Sequence, residues 1–261
     1  MVGDPRNSAL SSAVDQLAEQ LRDNPSVLFV TGAGISADSG LPTYRGVGGL
    51  YNDDGVVEGM PIEEALSGPV FRRRPEVTWK YLTQVEKACR GALPNRAHEV
   101  IAALEQQLDR CVVLTQNVDG LHRVAGSKEV IEIHGNVHDL VCPVCGWWDR
   151  VADYSKLAEL PECPACISVI RPKVVLFGEM LPEHAIDRLE RELARGFDLV
   201  FSVGTTSVFP YIAAPIHVVN RRGGVTVEVN PGESEVSHAV QVRLRAGAAK
   251  ALGALGDALG L

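Results

Sequence analysis

No apolar run in the 261 residues approaches the roughly 18 that a membrane-spanning helix needs, so a spanning segment is excluded. A basic surplus is missing too. Lys and Arg total 25 against 33 Asp and Glu, a net charge of −8, which argues against a duplex nucleic-acid binder and permits basic, lysine-rich partners. The N-terminus has neither the basic start nor the continuous apolar centre of a secretory leader, because Asp4, Arg6, Asp15, Glu19 and Arg22 interrupt it. Cysteines are few, and four of the six fall in a metal-type pattern rather than a disulfide framework, so the cytoplasm is the expected compartment. There is no internal repeat and no low-complexity tract. The remaining balance, 46% hydrophobic and 22% charged, is that of a folded protein with one large domain or one large and one small. From the short N-terminal lead and the stretch 248–261, no further domain is expected.

Apolar spacing predicts helices over 11–21, 61–66, 75–89, 95–108 and 182–195. Short continuous apolar runs over 27–30, 111–114, 130–133, 173–177, 199–203, 217–219 and 225–229 predict strands, the first of them buried on both faces. Strands alternating with helices imply an α/β fold around a mostly parallel sheet. Residues 46–59, rich in Gly and Asp, read as a mobile loop, Arg72-Arg73-Arg74 as a solvated helix face, and 138–170 as a small module stabilised by metal.

Gly32-Ala33-Gly34 follows the first strand at once and continues through Ser36 to Gly40. Glycines there let the backbone turn tightly and approach a pyrophosphate, whose charge amide N–H groups bind. Alone this is a weak pattern, and a strand–helix turn without a ligand also fits. A hydride-transfer enzyme would add a second strand ending in an acidic residue about 20 positions on. Here that region, 50–55, has no strand before it, and the loop runs instead into Thr43-Tyr44-Arg45. An arginine in a loop over a dinucleotide points to a cofactor gripped for a different reaction, although Arg45 also reads as an ordinary surface arginine.

Cys142-x2-Cys145 and Cys163-x2-Cys166 are separated by 17 residues. Four thiolates suit tetrahedral zinc, and four protein ligands leave no open position, so the site is structural. Disulfides or redox CxxC pairs are the competing readings. No basic helix follows Cys163 to make a DNA-reading finger. Cys89 and Cys111 match no pattern and read as small apolar residues.

Four strands end in small or polar groups: Thr115-Gln116-Asn117-Val118-Asp119, His134-Gly135-Asn136, Gly204-Thr205-Thr206-Ser207 and Asn230-Pro231-Gly232. Ligands of open α/β sheets bind at the carboxyl ends of the strands. His134 is the histidine placed at such an end beside a glycine, and with a reference pKa near 6.5 an imidazole accepts protons at neutral pH. A structural histidine is the plainer alternative. Gly135 and Asn136 speak against a helix that would pair His134 with His138 on a metal, and the other histidines show no comparable placement.

Taken together, GAGISADSGLPTYRG at 32–46, TQNVDGLH at 115–122, HGN at 134–136, the two CxxC pairs, VVLFGE at 174–179, GTTS at 204–207 and VNP at 229–231 resemble the sirtuin family of NAD-dependent protein deacylases, over roughly 10–255. The resemblance implies a Rossmann-like domain (10–46, 96–137 and 171–255), a small domain made of a helical insertion (47–95) and a zinc module (138–170), and NAD with substrate between them. It puts Gly32, Ala33, Gly34, Ser36, Thr43, Tyr44 and Arg45 on NAD positions. It sets Gln116, Asn117 and Asp119 at the ribose and nicotinamide, Gly204, Thr205, Thr206 and Asn230 at the adenosine half, and Ala248 at adenine. His134 falls on the catalytic base, with Asn117 and Asp119 as catalytic partners. Val174, Val175, Phe177, Gly178 and Glu179 fall on a segment that pairs with the substrate backbone by strand addition. The implied chemistry consumes NAD: the acyl oxygen of a modified lysine attacks C1′ of the ribose, nicotinamide leaves, and the products are O-acyl-ADP-ribose and free lysine.

Two departures carry expectations of their own. Tyr44 stands where the family has Phe, which adds a hydroxyl beside the nicotinamide. Leu82 and Val85 stand where the succinyl-removing branch has Tyr and Arg, so acetyl or longer apolar acyl groups are expected over succinyl. Mono-ADP-ribosyl transfer to a protein at the same site, and an NAD- or acyl-lysine-binding module without turnover, are the competing functions. An intact His134 with Asn117 and Asp119 disfavours the second.

Overall fold

The computed structural model describes residues 5–42, 56–57 and 60–261, with side chains from 10–42 and 60–261. Thr43, Tyr44, Arg45 and nearly all of the expected loop 46–59 lie outside the described residues. Along the chain come α1 (Pro5–Arg22), β1 (Val27–Thr31), the two-residue strands β2 (Val56–Val57) and β3 (Met60–Pro61), α2 (Ile62–Ala65), α3 (Gly68–Arg73), α4 (Pro75–Cys89) and α5 (Arg96–Gln107). Next are β4 (Cys111–Thr115), α6 (Leu121–Val124), β5 (Val130–Glu132), β6 (Gly135–Val141), β7 (Trp148–Arg150) and β8 (Arg171–Val174). The chain closes with α7 (Glu183–Arg195), β9 (Leu199–Val203), α8 (Pro210–Arg221), β10 (Val225–Val229), β11 (Val242–Leu244) and α9 (Ala248–Leu259).

Six strands pair in parallel in the order β11-β10-β9-β1-β4-β5. β1 sits in the middle with every residue buried, as a sheet covered on both faces requires. Alternation along it feeds two cores. Val27 and Phe29 pack with apolar residues of α1, α5 and α9. Leu28 and Val30 pack with Ala185 and Leu189 of α7 and Ile212, Ile216 and Val219 of α8. α9 lies close on α5 because Gly256 has no side chain; a Cβ there would fall 2.6 Å from Val100.

A third core belongs to a smaller body. α2, α3 and α4 contribute Ile62, Phe71, Trp79 and Leu82, and an antiparallel sheet ordered β7-β6-β8 contributes Val137, Leu140 and Ile170 beside it. Trp79 anchors the two parts by donating from Nε1 to the Ile170 carbonyl at 2.8 Å. Arg72, Arg73 and Arg74 are exposed, as expected of a solvated face.

One expected strand is a helix. Residues 217–219 lie inside α8, although Val218 and Val219 are β-branched and Pro215 sits mid-helix. The apolar positions Ile212, Pro215, Ile216 and Val219 recur at helical spacing and bury one face, so tertiary burial overrides local propensity. The strand expected over 173–177 instead begins at Arg171 and ends at Val174; Phe177 is held by an isolated bridge to Ser67.

Candidate active site

The carboxyl ends of β1, β4, β9 and β10 converge on one edge of the sheet, and the polar residues after them bond to one another. Asn117 donates from Nδ2 to the Gly32 carbonyl and to Ser36 Oγ, both at 3.1 Å. Ser36 donates to Asp119 at 2.8 Å, and the other oxygen of Asp119 accepts from the Leu121 amide at 2.9 Å. Burial holds the Asp119 carboxyl above its usual pKa, against the pull of those two donors. Gln116 donates to Thr205 Oγ1 at 2.8 Å, and Asn230 donates to the Thr205 carbonyl at 3.1 Å. The structure thus brings Ser36, Gln116, Asn117, Asp119, Thr205 and Asn230 into one cluster from four separated stretches of sequence. Ala248 opens α9 beside it, where the Ala249 amide donates to Asp38 at 3.2 Å. Thr206 is exposed on the same loop and accepts at its carbonyl from the Glu235 amide.

The glycines at 32 and 34 serve a purpose the sequence did not suggest. Their amides donate to the Val203 and Gly204 carbonyls at 3.1 and 2.8 Å. A Cβ on Gly34 would fall 2.7 Å from Gly204 Cα, and one on Gly32 2.8 Å from Thr205 Cβ. They let two strand-end loops touch, which shapes the floor of the cluster.

His134 lies where the chain leaves the parallel sheet and enters the small one. Gly135 makes the crossing: its φ is +83°, and a Cβ would fall 1.8 Å from the Lys173 carbonyl. The His134 carbonyl accepts from the Val175 amide at 2.9 Å. Its ring is bonded at both nitrogens, Nδ1 to the Gln116 carbonyl at 3.1 Å and Nε2 to the Tyr211 hydroxyl at 2.8 Å. A carbonyl only accepts, so Nδ1 carries the proton of the neutral ring and Nε2 keeps its lone pair. Burial lowers the His134 pKa, with the Gln116 bond opposing it, which favours the neutral ring.

Val174, Val175, Phe177, Gly178 and Glu179 follow from β8 into a turn beside His134. Phe177 is already bonded on both sides of its backbone, donating to the Leu66 carbonyl at 2.9 Å and accepting from the Gly68 amide at 3.1 Å. The Glu179 carboxylate accepts from both terminal nitrogens of Arg171, at 2.6 and 3.0 Å, and from the Leu176 amide at 2.9 Å. Those donors hold its pKa below the ordinary value in spite of burial, and its side chain braces the turn from within. Leu82 is buried in the small core, and Val85 is half-buried.

Cys142, Cys145, Cys163 and Cys166 bring their sulfurs within 4.8 Å of one another. Cys142 meets Cys166 and Cys145 meets Cys163 at 3.5 Å, so each CxxC pair faces the other. Tetrahedral zinc with bonds of about 2.3 Å would set its sulfurs about 3.8 Å apart, which this arrangement fits and two disulfides would not.

Several supporting residues escaped the sequence reading. His122 is buried, and its Nε2 meets Thr31 Oγ1 at 2.9 Å beneath the cluster. His98 caps α5 by accepting from the Asn95 amide and lies edge-on to His122 at 4.9 Å. Asn95 in turn donates to the Ile35 carbonyl at 2.8 Å and fixes the glycine loop to α5. The box Asn95-x-x-His98 was a signal available in sequence. Tyr211 and Phe209 had none beyond following a strand-end loop.

A parallel sheet with a polar cluster at its switch point, joined through a histidine to a four-thiolate module, defines a dinucleotide-binding protein of two bodies. The Sir2 family model matches residues 32–210, and the chain belongs to that family. A Pseudomonas aeruginosa protein named NAD-dependent protein deacylase 2 is 52% identical over 236 residues, covering 89% of this chain and 92% of its own. NAD-dependent protein deacylase 1 of Archaeoglobus fulgidus is 38% identical, covering 88% and 91%. A Sir2 homologue solved as an NAD complex superposes with a TM-score of 0.84 at 35% identity, over 94% of this chain and 93% of that one. A Sir2 complex with a deacetylated p53 peptide and 3′-O-acetyl ADP ribose superposes with a TM-score of 0.83 at 29% identity, over 95% and 99%.

Proposed function

We propose that this protein is an NAD-dependent protein-lysine deacylase that yields nicotinamide, O-acyl-ADP-ribose and free lysine. The observation that carries the reading is the neutral His134 ring, held by the Gln116 carbonyl with its lone pair on Nε2, at the edge of the polar cluster. Bound NAD would supply an electrophilic ribose carbon with nicotinamide as its leaving group. His134 would take a proton from a ribose hydroxyl at Nε2. Asn117, Ser36 and Asp119 would orient the ribose and the carboxamide from fixed positions, since each is already held by its neighbours. Gln116 and Thr205 link the nicotinamide end to the adenosine end, where Asn230 and the first turn of α9 would lie. By family position, Tyr44 and Arg45 would belong to this site.

The same reading divides the chain into a dinucleotide-binding body of 10–46, 96–137 and 171–255 and a small body of 47–95 and 138–170. Zinc held by the four cysteines is structural. The acyl-lysine peptide would enter between the bodies along the turn from Val174 to Glu179, with its acyl chain toward Leu82. Reduced thiolates suit a cytoplasmic location.

The test is a panel of acyl peptides with and without NAD, read by mass spectrometry. Deacylated peptide with O-acyl-ADP-ribose supports the reading; a protein gaining ADP-ribose with its acyl groups intact assigns the site to ADP-ribosyl transfer instead. Within the panel, kcat/KM for acetyl-lysine should exceed that for succinyl-lysine, because Leu82 and Val85 offer an acyl carboxylate no partner. Faster succinyl removal overturns that preference.

A further inference from the structure

Tyr211 is the second residue of α8, and Pro210 at the first helical position pre-sets its backbone. Phe209 stacks on it at 5.4 Å and 14°, and both rings stand edge-on to His134 at 6.0 Å. Phe209 is 42% exposed and Tyr211 is half-buried, so the pair is not a core filler. It lies at the junction of the two bodies, against the His134 imidazole at the edge of the polar cluster.

We propose that Tyr211 is a positioning residue for His134: its hydroxyl donates to Nε2, so that ring and tautomer are set before the dinucleotide arrives. The proposal rests on the reading of His134 as the base. Gln116 holds one nitrogen through an acceptor and Tyr211 the other through a donor, so the two bonds together admit a single neutral tautomer and one ring orientation. Burial pushes the Tyr211 phenol up to about 12, which keeps it protonated and a donor throughout the working range of the enzyme. When a ribose hydroxyl takes the place at Nε2, the phenol leaves with its own proton, and the ribose proton passes to His134. Among the described residues, no charged group shifts the ring. Asp119 is turned to Ser36 and Leu121, Glu132 is held by Asn136 and Arg123, and Lys173 of β8 is exposed.

A donor to neutral Nε2 disfavours protonation of the ring, so its removal has a defined sign. Tyr211→Phe keeps the stack on Phe209 and deletes only the O–H. The imidazole titration of His134, followed by NMR of labelled histidine in the full-length zinc-loaded protein, should move up by about 0.7 pH unit, the equivalent of one net hydrogen bond. The acid limb of kcat/KM should move with it, lowering kcat/KM at pH 6 by up to about fivefold and leaving pH 8.5 nearly unchanged. Tyr211→Leu should show the same shift with a further fall in kcat from the lost ring. A His134 titration and acid limb in Tyr211→Phe that match the parent overturn the proposal, because packing alone would then account for the tyrosine. Turnover retained in His134→Ala overturns instead the reading on which it rests.

Discussion

Two walls meet at His134, one from each body, and they are built on different physics. The large body presents the ends of parallel strands whose interiors are covered on both faces, so its polar cluster rests on two continuous cores. The small body has one core, a three-stranded sheet with a register shift between Asn136 and Leu140, and a stretch from 151 to 170 with little regular structure. Polar side chains of the first wall are anchored by backbone that cannot move without breaking the sheet. The second wall depends on four sulfurs to hold what hydrophobic burial does not. On the proposed reading, the dinucleotide would meet a rigid surface, and the protein substrate one whose order is tied to a metal.

Zinc removal should separate the walls most sharply. Binding of structural zinc is worth on the order of 10 kcal/mol of folding free energy in small metal-dependent modules. All three tryptophans, Trp79, Trp147 and Trp148, lie in the small body, so their fluorescence reports on it alone. A strong chelator, or Cys163→Ser, should abolish the native fluorescence while the far-ultraviolet signal of the parallel sheet survives. Loss of both signals together would show that the bodies fold as one unit.

A smaller effect tests the hinge between the walls. Gly135→Ala places a methyl 1.8 Å from the Lys173 carbonyl at φ +83° and must break the pairing of β6 with β8. We expect a loss of about 3 kcal/mol or more in denaturant unfolding. Gly40→Ala is the control in the large body: φ is +80° but no atom lies within 4 Å, so the cost should stay near 1 kcal/mol. Equal costs would mean that backbone conformation, rather than close contact with β8, sets the demand for glycine at the crossing.

How legible each wall was follows from how local its signals are. The run Val27–Val30 declared a buried strand because burial on both faces needs no alternation. The CxxC pairs declared a metal site because two ligands of each pair are fixed by a single turn. Residues 217–219 misled because β-branched local preference lost to the burial of Ile212, Ile216 and Val219 on the sheet. Gly32 and Gly34 were legible as a turn, but their close approach to Gly204 was not, because that loop lies far off in sequence. Tyr211 was invisible: its partner lies 77 residues away, and only the fold brings them together.

The least of these effects concerns pH and sets the two walls apart once more. His98 and His122 lie buried under the large body's cluster, and burial lowers their pKa values to about 4 and about 3. Burial lowers that of His134 as well. Each folded value lies below the unfolded reference near 6.5, so the unfolded chain binds more protons as the pH falls through that window. Their contribution is therefore complete above about pH 6.5 and is lost on acidification toward pH 4. At pH 5 the loss should reach about 2 kcal/mol for each fully buried histidine. Replacing His122 by Gln should remove one share of this slope, read as the dependence of the denaturant midpoint on pH, whatever it does to stability at pH 7.5. Acidification should act first on the sheet wall and its far-ultraviolet signal, whereas chelation at pH 7.5 should act first on the tryptophans. An acid transition that leads with tryptophan fluorescence would place the sensitive groups in the small body and refute the assignment to His98 and His122.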